Sequence, residues 1–235
     1  VKYIFFDEVK KYPFVKVAFT TKDIDVSKES DREKVCDDLG FNFKNLTFNK
    51  QVHGDNVILI DDIEKTGIVN NGDGLITKLS KVPIMVFVAD CVSIGFIDIR
   101  NNIIGCVHAG WKGTFEEISS NLIIKMKEKF NSKSEDIVCV IGPSIGPCCY
   151  EVGIDLIEKF NNKFTNLSDN FYIIKEKKYF LDLWKINEHI LIKNGIKREN
   201  IVNLNLCTNC NEHLFYSYRR DNKTSKRMGL IIELV

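Results

Sequence analysis

Three residues near the middle of the chain carry donor types that suit zinc. They are His53 in Gln51-Val52-His53-Gly54, Cys91 in Ala89-Asp90-Cys91, and His108 in Val107-His108-Ala109-Gly110-Trp111. Two imidazoles and one thiolate form a zinc-type ligand set, and three protein ligands rather than four leave a position for water or substrate. Each residue ends an apolar segment beside glycine or another small residue, a place for chemistry rather than core packing. Taken singly, each has a plainer reading: a strand-end histidine is commonly a hydrogen-bonded structural group, and a lone cysteine a buried thiol. If Cys91 binds zinc its thiol is deprotonated outright, so it is a ligand first and a nucleophile second.

The elements that must position these residues can be read from local pattern. Residues 15–20 are β-rich and 31–39 form a short amphipathic helix. Residues 46–53 and 57–60 flank Gly-Asp-Asn and read as a hairpin. Gly72-Asp73-Gly74 precedes Leu75-Ile76-Thr77. Strands at 84–89, 93–99 and 103–108 follow, the last two joined by Arg100-Asn101-Asn102. That hairpin puts Cys91 and His108 at one end of a sheet. A simple ladder leaves them a few residues out of register, so the expectation is a backbone curl permitted by Gly110 and Gly113. Residues 114–130 read as a helix opened by a Thr114/Glu117 capping box, with Ile118, Leu122 and Met126 on one face. A strand at 137–141, helices at 152–160 and 183–193 (Asp182 as N-cap), and strands at 201–206, 214–218 and 228–234 complete the chain. Hairpins mixed with helices point to a mixed α/β or α+β class in one domain, residues 1–235, rather than a regular βαβ series.

Two further clusters carry possible chemistry. Cys207-x-x-Cys210, with Cys148-Cys149 or with His213, could form a second, structural metal site, although an adjacent cysteine pair is poor spacing for tetrahedral chelation. A redox role needs a helix starting after the motif, and Asn-Glu-His-Leu-Phe does not start one convincingly. The loop from Ile141-Gly142-Pro143 to Val152-Gly153 follows a strand and precedes a helix. It can present backbone N–H groups to an anion, but it equally suits a rigid turn. Ser217-Tyr218-Arg219-Arg220-Asp221 and Lys226-Arg227 bring three guanidinium groups near one turn. Strand alternation would send Arg219 and Arg220 to opposite faces, one to pair with Asp221 and the other to face a cleft able to bind phosphate. His189 reads as structural on its helix.

Composition narrows the alternatives. The 235 residues carry a net charge of +1, so nothing suggests a nucleic-acid surface. The basic stretches 125–129 and 175–178 read as solvated helix or turn faces. The most apolar run, 82–97, is interrupted by Asp90 and is too short to span a bilayer. The opening Val-Lys-Tyr-Ile-Phe-Phe-Asp lacks a signal-peptide pattern, so a cytoplasmic protein is expected. Eight cysteines in such a chain read as reduced thiols, with Cys36, Cys106 and Cys139 as small core residues.

Taken in order, several segments resemble one family. They are Gln51-Val52-His53-Gly54, Gly72-Asp73-Gly74-Leu75-Ile76-Thr77, Ala89-Asp90-Cys91, His108-Ala109-Gly110-Trp111-Lys112-Gly113, Ile141-Gly142-Pro143, Tyr150-Glu151-Val152, Leu181-Asp182-Leu183, and Cys207-Thr208 with Phe215-Tyr216-Ser217-Tyr218-Arg219-Arg220. The set is similar to the YfiH family, also called the laccase-domain or multicopper polyphenol oxidase-like family. The resemblance implies a four-layer α/β/β/α sandwich, distantly similar to a bacterial cysteine-dependent deamidase toxin fold. It implies zinc on His53, Cys91 and His108 as the catalytic centre. It also implies phosphorolysis of adenosine, inosine, guanosine and methylthioadenosine to base and ribose 1-phosphate, with adenosine deamination as a further family activity. Purine nucleosides and phosphate are then the partners, with no nucleic acid or membrane. Gln51, Lys22, Asp90, Arg219 and Arg227 are the candidates for substrate or phosphate contact, and Asp90 and Glu151 lie near enough to be considered as acid or base. The N-terminal part departs from the pattern. Where many members have Thr-Arg-x-Gly-Gly-Val-Ser, this chain has Thr20-Thr21-Lys22-Asp23-Ile24-Asp25-Val26-Ser27, and a following segment with Ser-x-Asn is missing.

Other functions stay open at this level. Cys91 with His108 as base could hydrolyse an amide without metal. Peptidoglycan-precursor editing and copper polyphenol oxidation are attached to the same family. One two-histidine, one-cysteine site does not by itself supply the several coppers that reducing oxygen to water requires, which disfavours copper. A non-catalytic purine-binding module is the remaining class.

Overall fold

A computed structural model describes residues 1–67, 70–165, 167 and 171–235. Two large sheets dominate it. The first contains β1 (Tyr3–Phe5), β2 (Val15–Thr20), β3 (Thr47–Phe48), β6 (Ile84–Val88) and β14 (Met228–Leu234), in the order β1-β2-β14-β6-β3. The second contains β4 (Val57–Ile60), β5 (Gly74–Thr77), β7 (Val92–Asp98), β8 (Ile103–Ala109), β9 (Ile137–Ile141) and β13 (Ile201–Asn203), in the order β13-β9-β7-β8-β5-β4. A small third sheet is formed by β10 (Glu151–Val152), β11 (Tyr172–Lys175) and β12 (Lys178–Leu181). The helices are α1 (Glu29–Leu39), α2 (Trp111–Phe115), α3 (Ile118–Phe130), α4 (Ile154–Lys163) and α5 (Leu183–Lys193).

Side-chain alternation assigns the layers. In β7 and β8, Ile97, Ile104 and Cys106 point at the first sheet and meet Val17, Phe19, Val86, Leu230 and Ile232. Their neighbours Ile94, Phe96 and Val107 point the other way, into Ile118, Leu122 and Met126 of α3 and Ile186 and Ile190 of α5. On the far side, Val35 and Cys36 of α1 cover Ala18, Met85 and Ile231. The order is helix, sheet, sheet, helix, the four-layer mixed α/β arrangement expected. Both faces of the central strands are buried, which is why their sequences run nearly uniformly apolar. Cys36, Cys106 and Cys139 lie in this core, fully buried. Among the described residues no helix is long and apolar enough to cross a membrane.

Several local expectations are corrected. Residues 46–53 and 57–60 do not form a hairpin: β3 pairs in parallel with β6 in the first sheet, while β4 pairs in parallel with β5 in the second. The chain between them crosses from one sheet to the other, with His53 in the left-handed region at φ 59°. The expected single helix at 114–130 is two. Glu117 adopts φ 55° and separates α2 from α3. No capping box forms, because the Thr114 hydroxyl donates to the Ala109 carbonyl at 3.0 Å and the Glu117 carboxylate pairs with Lys193 at 3.2 Å. Residues 214–218 are not a strand. Here Ser217 N–H donates to Asp221 and Arg220 N–H to the Ser217 hydroxyl, local bonds that compete with strand pairing. Val152 is in β10, and the helix after it begins at Ile154.

Candidate metal centre

The β7–β8 ladder brings Cys91 and His108 together without a curl. Ser93 pairs with His108 and Val92 with Ala109, so Cys91 is the diagonal neighbour of His108 on the face turned toward the first sheet. Gly110 and Gly113 are therefore not needed to fold the strand back. Gly110 instead keeps space open, since a Cβ there would sit 3.1 Å from Cys91 Sγ and 3.5 Å from His53 Cδ2. His53 arrives on the crossing segment. Its ring lies 4.8 Å from that of His108, nearly perpendicular at 84°. The ligand atoms of His53, Cys91 and His108 all lie within 4.8 Å of one another, with His108 buried, Cys91 half-buried and His53 exposed at the mouth.

Asp73, to which the sequence alone assigned no role, organises this site. It is completely buried. Its carboxylate accepts the backbone N–H groups of Val52 (3.1 Å), His53 (3.0 Å) and Gly54 (2.8 Å). It also meets His108 Nδ1 at 2.7 Å. One side chain thus shapes the loop that delivers His53 and orients the ring of His108. The visible signal was a single acid between two glycines ahead of a strand.

The donor set fits zinc. With Nδ1 of His108 bonded to Asp73, Nε2 is the nitrogen free to ligate, and a carboxylate behind a ligating histidine is the usual support for such a ring. Burial alone would push the Cys91 thiol up, but the charge on His108 and hydrogen bonds from His108 and His53 bring it down to about 6. Burial alone would lower His108, but the Cys91 thiolate and the Asp73 bond lift it to about 9. Burial opposes ionisation of Asp73 too, yet the His108 and backbone bonds hold it below the usual carboxylate range. Without metal the cluster therefore favours thiolate, imidazolium and carboxylate, and a metal on His108 Nε2 takes the place of that proton.

His53, Cys91 and His108 line a cavity of about 810 Å³, within the range typical of small-molecule sites. Its walls include Phe48, Phe87, Tyr150 and Tyr218, and its polar groups include Asn49, Gln51, Asp90, Arg219 and Arg227. Gln51 is fastened to Phe87, donating to its carbonyl at 2.8 Å and accepting its N–H at 2.7 Å. Asp90, at φ 85°, accepts from the Thr208 hydroxyl (2.6 Å), the Ser217 hydroxyl (3.0 Å) and Arg219 N–H (2.7 Å), so its carboxylate anchors the arginine turn. The side chain of Arg219 donates from Nη1 to the Glu151 carbonyl and lies 5.3 Å over Tyr150. Arg220 turns away and holds Asp221 and the carbonyls of Thr208, Asn209 and Phe215. The two arginines divide as expected, through turn geometry rather than strand alternation.

Other candidates lie elsewhere. Lys22 is outside this cavity, donating to the Glu212 carbonyl at 2.6 Å in a second depression that also holds His213. The Glu151 carboxylate pairs with Lys178 on the surface and does not line the cavity. Asn49 was missed by sequence reasoning. Its Nδ2 donates to the Gly74 carbonyl, while its buried Oδ1 has no hydrogen-bond partner among the described residues.

Comparison with known proteins agrees with this architecture. Residues 8–235 match the family described as multi-copper polyphenol oxidoreductase laccase. A purine nucleoside phosphorylase of Clostridium acetobutylicum is 41% identical over 192 residues, covering 80% of this chain and 76% of that protein. An adenosine deaminase from an unknown prokaryotic organism is 32% identical over 192 residues, covering 77% of this chain and 72% of that one. The crystal structure of the Bacillus licheniformis hypothetical protein YfiH superposes with a TM-score of 0.90 at 29% identity, covering 100% of this chain and 97% of that one. With nearly its whole length matched in sequence and in fold, the chain belongs to the multi-copper polyphenol oxidoreductase laccase family, of the YfiH type.

Proposed function

We propose that the protein is a zinc-dependent purine nucleoside phosphorylase. It would convert adenosine, inosine, guanosine or methylthioadenosine and phosphate into the free base and the ribose 1-phosphate, and deaminate adenosine in the same pocket. The observation that carries this is the convergence of His53, Cys91 and His108 in a cavity that Arg219 and Arg227 also line. The names of relatives, phosphorylase and deaminase, support the same reading.

Phosphorolysis places phosphate at the ribose C1′ and breaks the glycosidic C–N bond, whose electron pair leaves with the base. Arg219 and Arg227 position the phosphate, since a guanidinium carries five donors and these two engage carbonyls through Nη1. Phe48 and Phe87, 5.1 Å apart and backed by the Arg32 guanidinium at 4.8 Å from Phe48, offer an apolar wall for the purine. Asn49 also lines the cavity, its Nδ2 fastened to the Gly74 carbonyl. His53, Cys91 and His108 would hold the zinc, which when bound would supply Lewis acidity at the cavity wall.

The test is incubation of metal-analysed protein with adenosine and with inosine, with and without phosphate, followed by chromatography of adenine and hypoxanthine. Phosphate-dependent base release that disappears when Cys91→Ala removes the zinc of this centre supports the proposal, and release that survives that loss overturns it. A second reading, metal-free thiol hydrolysis by Cys91 with His108, rests on the thiol brought down to about 6. It requires amide hydrolysis that zinc does not support and alkylation abolishes.

A further inference from the structure

A second sulfur cluster lies outside the candidate centre. Cys148 and Cys149 stand in the loop after β9, and Cys207 and Cys210 in the segment after β13. Their four sulfurs all lie within 4.8 Å of one another. Cys210 Sγ is 3.4 Å from Cys148 Sγ and 3.4 Å from Cys149 Sγ. We propose that these four cysteines bind a second zinc ion, a tetrathiolate site that clamps the loop at 142–149 to the segment at 207–210.

Tetrahedral zinc with Zn–S bonds of about 2.3 Å requires sulfur–sulfur edges of about 3.8 Å. The two edges at Cys210, 3.4 Å each, fall a little short of that value, and no edge of the cluster exceeds 4.8 Å. All four are free thiols, and a closed four-sulfur shell is the ordinary form of a structural zinc site. The adjacent pair, awkward on paper, is resolved by a tight turn. The N–H groups of Cys149 and Tyr150 both donate to the Gly146 carbonyl at 3.0 Å, and this brings both sulfurs to Cys210. The Gly146 N–H donates to Cys207 Sγ at 3.3 Å, a bond that favours a thiolate there. His213 is not part of the cluster.

The clamp has a structural purpose. Ser144 and Cys207 already form a parallel bridge, with Ser144 N–H donating to the Leu206 carbonyl and Thr208 N–H to the Ser144 carbonyl. The first segment leads through Ile145 to Tyr150, both on the cavity wall. The second presents Thr208, whose hydroxyl holds Asp90. A metal across the two segments fixes one wall of the pocket while sharing no ligand with His53, Cys91 and His108.

The experiment counts zinc in protein purified under reducing conditions and reconstituted with the metal alone. The Cys91→Ser variant, which breaks the other cluster, should retain one zinc per chain, and adding Cys210→Ser or Cys148→Ser should remove it. In the Cys91→Ser chain, chelation should release zinc together with four newly reactive thiols, and cobalt replacing zinc should show sulfur-to-metal charge transfer of tetrathiolate strength. The thiol count needs no further variant, so poor folding of a double variant does not blunt the test. A Cys91→Ser protein that takes up no zinc, or retains its zinc when Cys210 and Cys148 are both replaced, overturns the proposal. So does a reduced-buffer mass showing Cys210 disulfide-bonded to Cys148 or Cys149. Because the ion is counted without Cys91, the result is independent of whether the first centre binds zinc.

Discussion

His108 Nδ1 and Asp73 Oδ1 lie 2.7 Å apart in a fully buried pocket, and the same carboxylate gathers the N–H groups of residues 52–54. The two histidines of the candidate centre are thereby tied to one acid. Its loss should disturb both the orientation of His108 and the loop that supplies His53. In Asp73→Asn, zinc affinity at the candidate centre should fall by about 10–100-fold. Chelator competition, carried out in a Cys210→Ser background so that only this centre is read, measures it. Unchanged affinity would mean that His108 is held adequately by packing alone.

Cys91 in metal-stripped protein should behave as a thiolate across neutral pH. A thiol ionises above its pKa, so alkylation should rise through pH about 6 and be nearly level by pH 8, well below the ordinary thiol range. Iodoacetamide rates at Cys91, resolved by peptide mass spectrometry, give the profile. Zinc should suppress the reaction, and a profile still rising at pH 9 would contradict the thiolate–imidazolium pairing.

Arg219 and Arg220 are adjacent but should fail differently. Arg219→Ala should raise the KM for phosphate about tenfold, equivalent to about 1.4 kcal/mol, with little change in melting temperature. Arg220→Ala strips hydrogen bonds from the carbonyls of Thr208, Asn209 and Phe215. It should cost about 2–3 kcal/mol of stability, measured by denaturant unfolding. Reversed effects would exchange the roles.

Gly105 in β8 lies beneath α3, where an added Cβ would sit 2.8 Å from Leu122 Cδ1 and 3.1 Å from the Leu75 carbonyl. Gly105→Ala should destabilise the protein by about 1–3 kcal/mol through overpacking, while leaving its zinc content intact. Urea titration beside metal analysis separates the two effects.

Much of the secondary structure was legible because it is locally encoded. Residues 15–20, 137–141, 183–193 and 228–234 were delimited by β-branched runs, caps and helical periodicity, and Asp182 does accept the Lys185 N–H. The misreadings share a cause. At Thr114, Ser217 and residues 46–57, side chains or distant strands capture the backbone groups that local pattern had assigned to a cap, a strand and a hairpin.

The site divides in the same way. Residue chemistry raised His53, Cys91 and His108 as a zinc-type donor set, although each taken singly also has a plainer structural reading. The linear chain did not reveal Asp73 as their common support, the release of Lys22 from the pocket, or the turn that sets Arg219 and Arg220 apart. Nor could it bring the Cys148-Cys149 turn against Cys207 and Cys210. Each of these depends on which residues distant in sequence share a few ångströms. The chain alone determined which chemistries its residues could perform; the stacking of the two sheets and the hydrogen bonds made by their connecting segments decided where each one acts.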